Sequence, residues 1–100
     1  MYPDIQLYID GASVDPASGE WFESDDPFTG QPWALIPKGG REDVDRAVQA
    51  AHRAFTSGPW PALTASDRGL LLHRLGDAIA QRAKHLAEIE VRDNGKLWAE

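Results

Sequence analysis

The sequence predicts an α/β chain in which short, turn-linked strands come first and two amphipathic helices follow. Three observations carry that prediction. Apolar doublets and triplets between Gln6 and Ile36 are punctuated by turn clusters, the apolar spacing changes to a helical period after Gly39-Gly40, and the second helical stripe runs into Asp93-Asn94-Gly95-Lys96 just before Glu100. So early an ending reads as the front of something larger. With 100 residues and 42% apolar content, one small domain with a modest core is the most the chain can build.

Leu7-Tyr8-Ile9 and Ser13-Val14 flank Asp10-Gly11, one of the stronger local hairpin signals. Asp15-Pro16-Ala17-Ser18-Gly19 supplies a second reversal before Trp21-Phe22-Glu23-Ser24, with proline fixing φ and glycine admitting a positive one. A third turn, Asp26-Pro27-Phe28-Thr29-Gly30, leads to a strand at Trp33-Ala34-Leu35-Ile36 bracketed by Pro32 and Pro37. Prolines in those places suit an edge or a strand end, where no ladder donor is needed. Two-stranded ribbons are marginal in water, so these strands are expected to lie on the helices or to join a sheet built elsewhere.

Val44, Ala47, Val48, Ala51 and Phe55 form one stripe of a helix over Arg41–Thr56. Glu42, Asp43 and Asp45 lie in its first turns, where the macrodipole favours negative charge on a solvated face, and Ser57-Gly58-Pro59 ends it. Thr64 with Asp67 resembles a capping box for a second helix, whose stripe of Leu71, Leu72, Leu75, Ala78, Ile79, Ala83, Leu86 and Ile89 reaches Arg92. Unbroken from Ala65, that helix would be a rod of roughly 42 Å, longer than this chain can cover. Gly69 and Gly76 inside it invite close approach of another backbone, and Asn94-Gly95 is a good stop. The four tryptophans, Trp21, Trp33, Trp60 and Trp98, are many for the length, each with ~150 to 250 Å² of surface to bury.

Sixteen acids against ten bases give a net charge of -6, and the bases form no block. That argues against nucleic acid or an anionic membrane as a partner. Met1-Tyr2-Pro3-Asp4 opens without a basic or apolar signal, and no apolar run approaches the ~20 residues that span a bilayer. The composition suits a cytoplasmic protein, and the lack of cysteine excludes disulfides and thiolate metal sites.

The motifs encode no reaction by themselves. Gly39-Gly40 before a helix lacks the third glycine of a dinucleotide fingerprint. His52, His73 and His85 stand singly in helical stretches, without metal-ligand pairing, and Asp77, Glu88 and Glu90 show no arrangement suited to acid and base work.

Leu7-Tyr8-Ile9-Asp10-Gly11, Asp26-Pro27-Phe28-Thr29-Gly30, Pro37-Lys38-Gly39, Asp43-Val44-Asp45-Arg46-Ala47-Val48 with Ala54-Phe55, Gly58-Pro59-Trp60 and Asp93-Asn94-Gly95-Lys96 occur in one order over nearly the whole chain. Together they resemble the N-terminal segment of NAD(P)-dependent aldehyde dehydrogenases. The resemblance implies that residues 1–100 open a Rossmann-like cofactor-binding domain, with catalytic and oligomerisation domains downstream in a subunit expected to form homo-oligomers. It implies oxidation of an aldehyde to a carboxylic acid with NAD(P)+, by a cysteine thiolate that attacks the aldehyde and a glutamate that activates water. Those residues and the grip on NAD belong to later segments, so no catalytic or cofactor-binding residue is assigned here, and the chain alone is expected to be inactive and to bind no cofactor.

The resemblance also implies a structural monovalent cation, held by oxygens at Ser24 and Asp25 and by Asp93, with a further ligand from later chain. Hard oxygen donors suit such an ion. Helix termination alone would account for Asp93 equally well. Asp26 replaces the asparagine usual before Pro27, and Leu97 stands where proline commonly follows, so the aldehyde preferred is left open. The alternative is a short, non-catalytic interaction module or relic of that family, whose helical faces would have to suit solvent or a partner.

Overall fold

The computed structural model describes residues 5–100, and Met1-Tyr2-Pro3-Asp4 lie outside the described residues. The element order is β1 (Leu7–Ile9), β2 (Ala12–Val14), β3 (Trp21–Asp26), β4 (Gln31–Pro37), α1 (Arg41–Thr56), α2 (Pro59–Ala62), α3 (Ala65–Gln81) and α4 (Ala83–Asn94). The strands form two antiparallel ribbons, β1 with β2 and β3 with β4. Asp10 and Gly11 turn the first with φ of 55° and 77°, the left-handed pair that a two-residue hairpin requires.

Asp15–Gly19 makes the reversal between the ribbons, closed by the Gly19 amide donating to the Pro16 carbonyl at 2.8 Å. Its Ala17 amide is turned to the start of α1, where it donates to Asp43 Oδ1 at 3.0 Å, while the Gly40 amide donates to Oδ2 at 2.9 Å. Asp43 is thus 3% exposed and staples the reversal between the ribbons to the helix N-terminus. The sequence places it on a solvated face; instead, the donor from the β2–β3 reversal draws it inward. The Gly40 amide, then the Ala17 amide, hold its carboxyl below the ordinary carboxylate range, with Arg46 adding attraction and burial opposing.

Around α1 the inward positions are Asp43, Ala47 and Ala50, small or hydrogen-bonded side chains that allow the helix to approach the first ribbon. The larger residues of the predicted stripe point elsewhere. Val44, Val48 and Phe55 are 59%, 61% and 76% exposed. Arg53 reaches back from the last turn to pair with Asp10 at 3.3 Å, a surface contact of small stabilising value.

Two differences from the sequence-based expectation concern the helices. A short helix, α2, follows Gly58, with Pro59 at its first position, where the missing N–H costs no bond. The rod expected over Ala65–Arg92 is broken at Arg82, whose φ of -111° and ψ of 12° leave the helical region. The Arg82 amide donates to Ile79 rather than to Ala78, tightening the turn and interrupting the α ladder. No proline or glycine marks that place, and beyond the break α4 is the helix that meets β3. At the start of α3, Thr64 Oγ1 accepts from the Asp67 amide at 3.1 Å and donates to the Asp67 carboxylate at 2.7 Å. The carboxylate is engaged by the hydroxyl, so only half of the expected reciprocal box forms.

Among the described residues the buried apolar side chains are Ile9, Ala34 and the prolines Pro16 and Pro37. The Cα radius of gyration is 17.0 Å, against about 13 Å for a compact domain of this length. Leu71, Leu72, Leu75 and Ile79 of α3, Leu86 and Ile89 of α4, and Trp98 all remain substantially in solvent. The chain forms a framework of ribbons and helices whose apolar faces it does not close. No helix among the described residues is long and apolar enough to cross a membrane.

Candidate functional site

The site with the most specific geometry lies where the C-terminus of α4 reaches the second ribbon. Gly95 ends α4 in the left-handed conformation, φ 76°, with its amide donating to the Val91 carbonyl at 2.9 Å. This stop sets Asn94-Gly95 against the β3–β4 turn so closely that a Cβ on Gly95 would lie 3.1 Å from Pro27 Cβ. On the other side of that contact, Asp26 Oδ1 accepts the Phe28 amide at 2.8 Å. Aspartate thus supplies the turn-closing acceptor that asparagine would, so this departure from the family pattern keeps the turn.

Asp93, two residues before the stop, faces β3. Its Oδ1 accepts from the Ser24 hydroxyl at 2.7 Å and from the Trp33 indole Nε1–H at 3.3 Å. Ser24 and Asp93 are therefore brought together across 69 residues of sequence. Asp25 follows Ser24 along β3 opposite Pro32, and its carboxylate takes no part in those bonds. All of these groups are partly or largely exposed in the chain as it stands.

The ladder is weakened at this spot. Ser24 pairs with Ala34 and Asp25 with Pro32, which leaves Trp33 as the extra residue of a bulge. Pro32 brings no N–H to the strand opposite. One carboxylate oxygen, Asp93 Oδ2, receives no hydrogen bond among the described residues. Of the hard oxygens that a monovalent cation would need, the hydrogen bonds bring only the Asp93 carboxylate and the Ser24 hydroxyl together at this junction. Among the described residues, no cluster of three or more His, Cys, Asp or Glu side chains is arranged to hold a metal by side chains.

Two residues escape sequence reasoning. Trp33 counts there only as an apolar strand position; the signals available are the preceding proline, which favours a bulge, and the indole N–H, which seeks a partner when packed. Its ring also lies under the Arg92 guanidinium, 5.9 Å from carbon to ring centre. Asp43 carries no such signal, because its second donor is 26 residues away. Lacking cysteine throughout, the chain offers no thiolate nucleophile.

This arrangement, strands first and helices after with the Asp93 stop on the second ribbon, is that of a known family. The aldehyde dehydrogenase family profile matches residues 14–100. An Arabidopsis thaliana protein, aldehyde dehydrogenase family 2 member C4, is 43% identical over 99 residues, 96% of this chain and 20% of its own length. The 2-hydroxymuconic semialdehyde dehydrogenase of Pseudomonas sp. (strain CF600) is 44% identical over 93% of this chain and 19% of its own. Among solved structures, the NAD-dependent aldehyde dehydrogenase from Sinorhizobium meliloti superposes with a TM-score of 0.93 at 36% identity, over 99% of this chain and 20% of that one. The chain belongs to the aldehyde dehydrogenase family, and it spans about a fifth of the length of these relatives.

Proposed function

We propose that residues 1–100 are the N-terminal portion of the cofactor-binding domain of an NAD(P)-dependent aldehyde dehydrogenase, and that the complete subunit oxidises an aldehyde to a carboxylic acid. The observation that carries this reading is the match of nearly the whole chain to the opening fifth of such enzymes, in sequence and in backbone. Aldehyde, water and NAD(P)+ give acid, NAD(P)H and a proton. The dinucleotide, bound by later chain in a Rossmann-like domain, accepts the hydride. The nucleophilic cysteine and the glutamate that activates water also come from later chain.

The part played by residues 1–100 is architectural. The staple at Asp43 fixes α1 on the first ribbon, and the Asp93 contacts fix α4 on the second. The outward stripes of α1, α3 and α4 then present apolar surface for the remainder of the subunit, the chain's principal partner, within a homo-oligomer. A self-sufficient interaction module is the poorer reading, because a soluble module would have to shield those faces. We assign the assembled enzyme to the cytoplasm. We further assign Asp93 and the main-chain oxygens of Ser24 and Asp25 to a structural monovalent cation, supported by the Ser24–Asp93 contact, which brings the two segments together.

The deciding assay follows NAD(P)H formation from a panel of aldehydes by the complete subunit and by residues 1–100 alone. The complete subunit is expected to reduce the cofactor and the 100-residue chain to give none. Cofactor reduction by the short chain, or a folded complete subunit that oxidises no aldehyde, would overturn the proposal.

A further inference from the structure

We propose that Asn94 is a covalent modification site, which deamidates spontaneously through a succinimide at a rate set by opening of the last turn of α4. Asn94 is the last residue of that helix and is exposed, and Gly95 follows it. Glycine has no side chain to hinder its own nitrogen, so that nitrogen is well suited to attack the asparagine before it.

The reaction joins the Gly95 nitrogen to Asn94 Cγ. Base takes the proton of the Gly95 amide, the nitrogen attacks Cγ, and the bond from Cγ to the side-chain nitrogen breaks as ammonia leaves. Water then opens the ring. Hydrolysis of the bond between the ring nitrogen and Cγ gives aspartate, and hydrolysis at the main-chain carbonyl leaves the chain running through Cγ, as isoaspartate. One water is consumed and one ammonia released, and nothing is oxidised or reduced.

The native chain prepares one half of this site and locks the other. Asn94 Oδ1 accepts the Lys96 amide at 2.8 Å, which aims a donor at the oxygen that becomes negative during the attack. The Gly95 amide, in contrast, is spent on the Val91 carbonyl at 2.9 Å. Closing the ring also requires the Gly95 nitrogen to eclipse Cβ of Asn94 about the Cα–C bond, whereas a helical ψ turns it well away. Attack therefore waits until the last turn of α4 unwinds. That turn is held by the Ser24 hydroxyl and the Trp33 indole on Asp93, at 2.7 Å and 3.3 Å, and by the seat of Gly95 on Pro27.

The products weaken the same anchorage. Either one places a second carboxylate next to Asp93, where like charges repel. Isoaspartate also adds a methylene to the backbone between Asp93 and Gly95, at a place where Gly95 has no room to move toward Pro27.

The experiment ages the complete subunit in mildly alkaline buffer, native and in guanidinium chloride. Cleavage after glutamate releases residues 91–100, and mass spectrometry reads the exchange of amide for carboxyl and the isoaspartate content. The native protein is expected to convert at least about tenfold more slowly than the denatured chain, because only its opened fraction reacts. Ser24→Ala leaves residues 91–100 untouched, so its denatured rate should match the wild type, while its native rate should rise by about fivefold for the loss of one hydrogen bond.

Equal rates in native and denatured wild type would show that the helix stop does not gate the reaction, and a denatured chain that forms no isoaspartate would show that there is no such site. A native Ser24→Ala subunit that converts no faster than the wild type also overturns the proposal. Should Ser24→Ala fail to fold, Trp33→Phe removes the other donor to Asp93, and a rise in native rate is required of it.

Discussion

Replacing Asp43 with alanine lowers the melting temperature of the complete subunit by about 5 °C, the scale expected when two part-buried backbone donors lose a charged acceptor. The variant leaves the Gly40 and Ala17 amides without the oxygens that receive them at 2.9 Å and 3.0 Å. Nothing in the small side chains around it, Ala47 and Ala50, can take over that role. Both donors prefer the charged carboxylate, so its folded pKa lies below the ordinary value of 3.8. A depressed folded pKa stabilises the fold fully above the ordinary value and loses that contribution as the pH falls through the lower, folded one. The stability gap between the wild type and Asp43→Asn should therefore be full at neutral pH and shrink as the pH drops below about 4. Thermal unfolding of both proteins across that range measures it; a gap that stays constant with pH would show that the charge of Asp43 plays no part.

The second large effect is expected at Gly95. Alanine there must hold a φ of 76°, and its Cβ would sit 3.1 Å from Pro27 Cβ and 3.3 Å from Pro27 Cγ. The conformation costs about 1 kcal/mol and the contact adds to it, for about 2 to 3 kcal/mol in all. Gly30→Ala is the matched control. Its φ is 68°, but an added Cβ would meet nothing within 4 Å, so only the conformational part applies. In denaturant unfolding, Gly95→Ala should exceed Gly30→Ala by about 1 to 2 kcal/mol, the contact with Pro27. Equal losses would mean that the β3–β4 turn yields freely. Because Gly95 seats α4 on that turn, its substitution also loosens the hold of Asp93 on Ser24.

What could be read from the sequence was the chemistry that acts over a few residues. Asp10-Gly11 turns the first ribbon, Gly95 stops α4, and Thr64 starts α3, each by a local hydrogen bond or a positive φ. The resemblance carried by the longer motifs located Ser24 and Asp93, which the fold then joins through one hydrogen bond. The break at Arg82 could not be read, because no proline or glycine causes it and the periodicity continues across it. The buried role of Asp43 depends on Ala17, and that of Trp33 on Asp93, partners far away along the chain. The apolar stripe of α1 was legible as a stripe, while the side it faces was not. Its bulky residues face away from the first ribbon, and the ribbon is met by alanines.

That outward direction is the centre of the proposal, since it requires later chain to cover α1, α3 and α4. Amide hydrogen exchange over 70–89, compared between residues 1–100 alone and the complete subunit, tests it most directly. Covered helices open rarely, so protection in the complete subunit should exceed that in the isolated chain by about tenfold or more. Equal protection in the two would mean that the faces of α3 and α4 are not closed by the rest of the subunit, and would contradict the reading of this chain as the opening part of a larger domain.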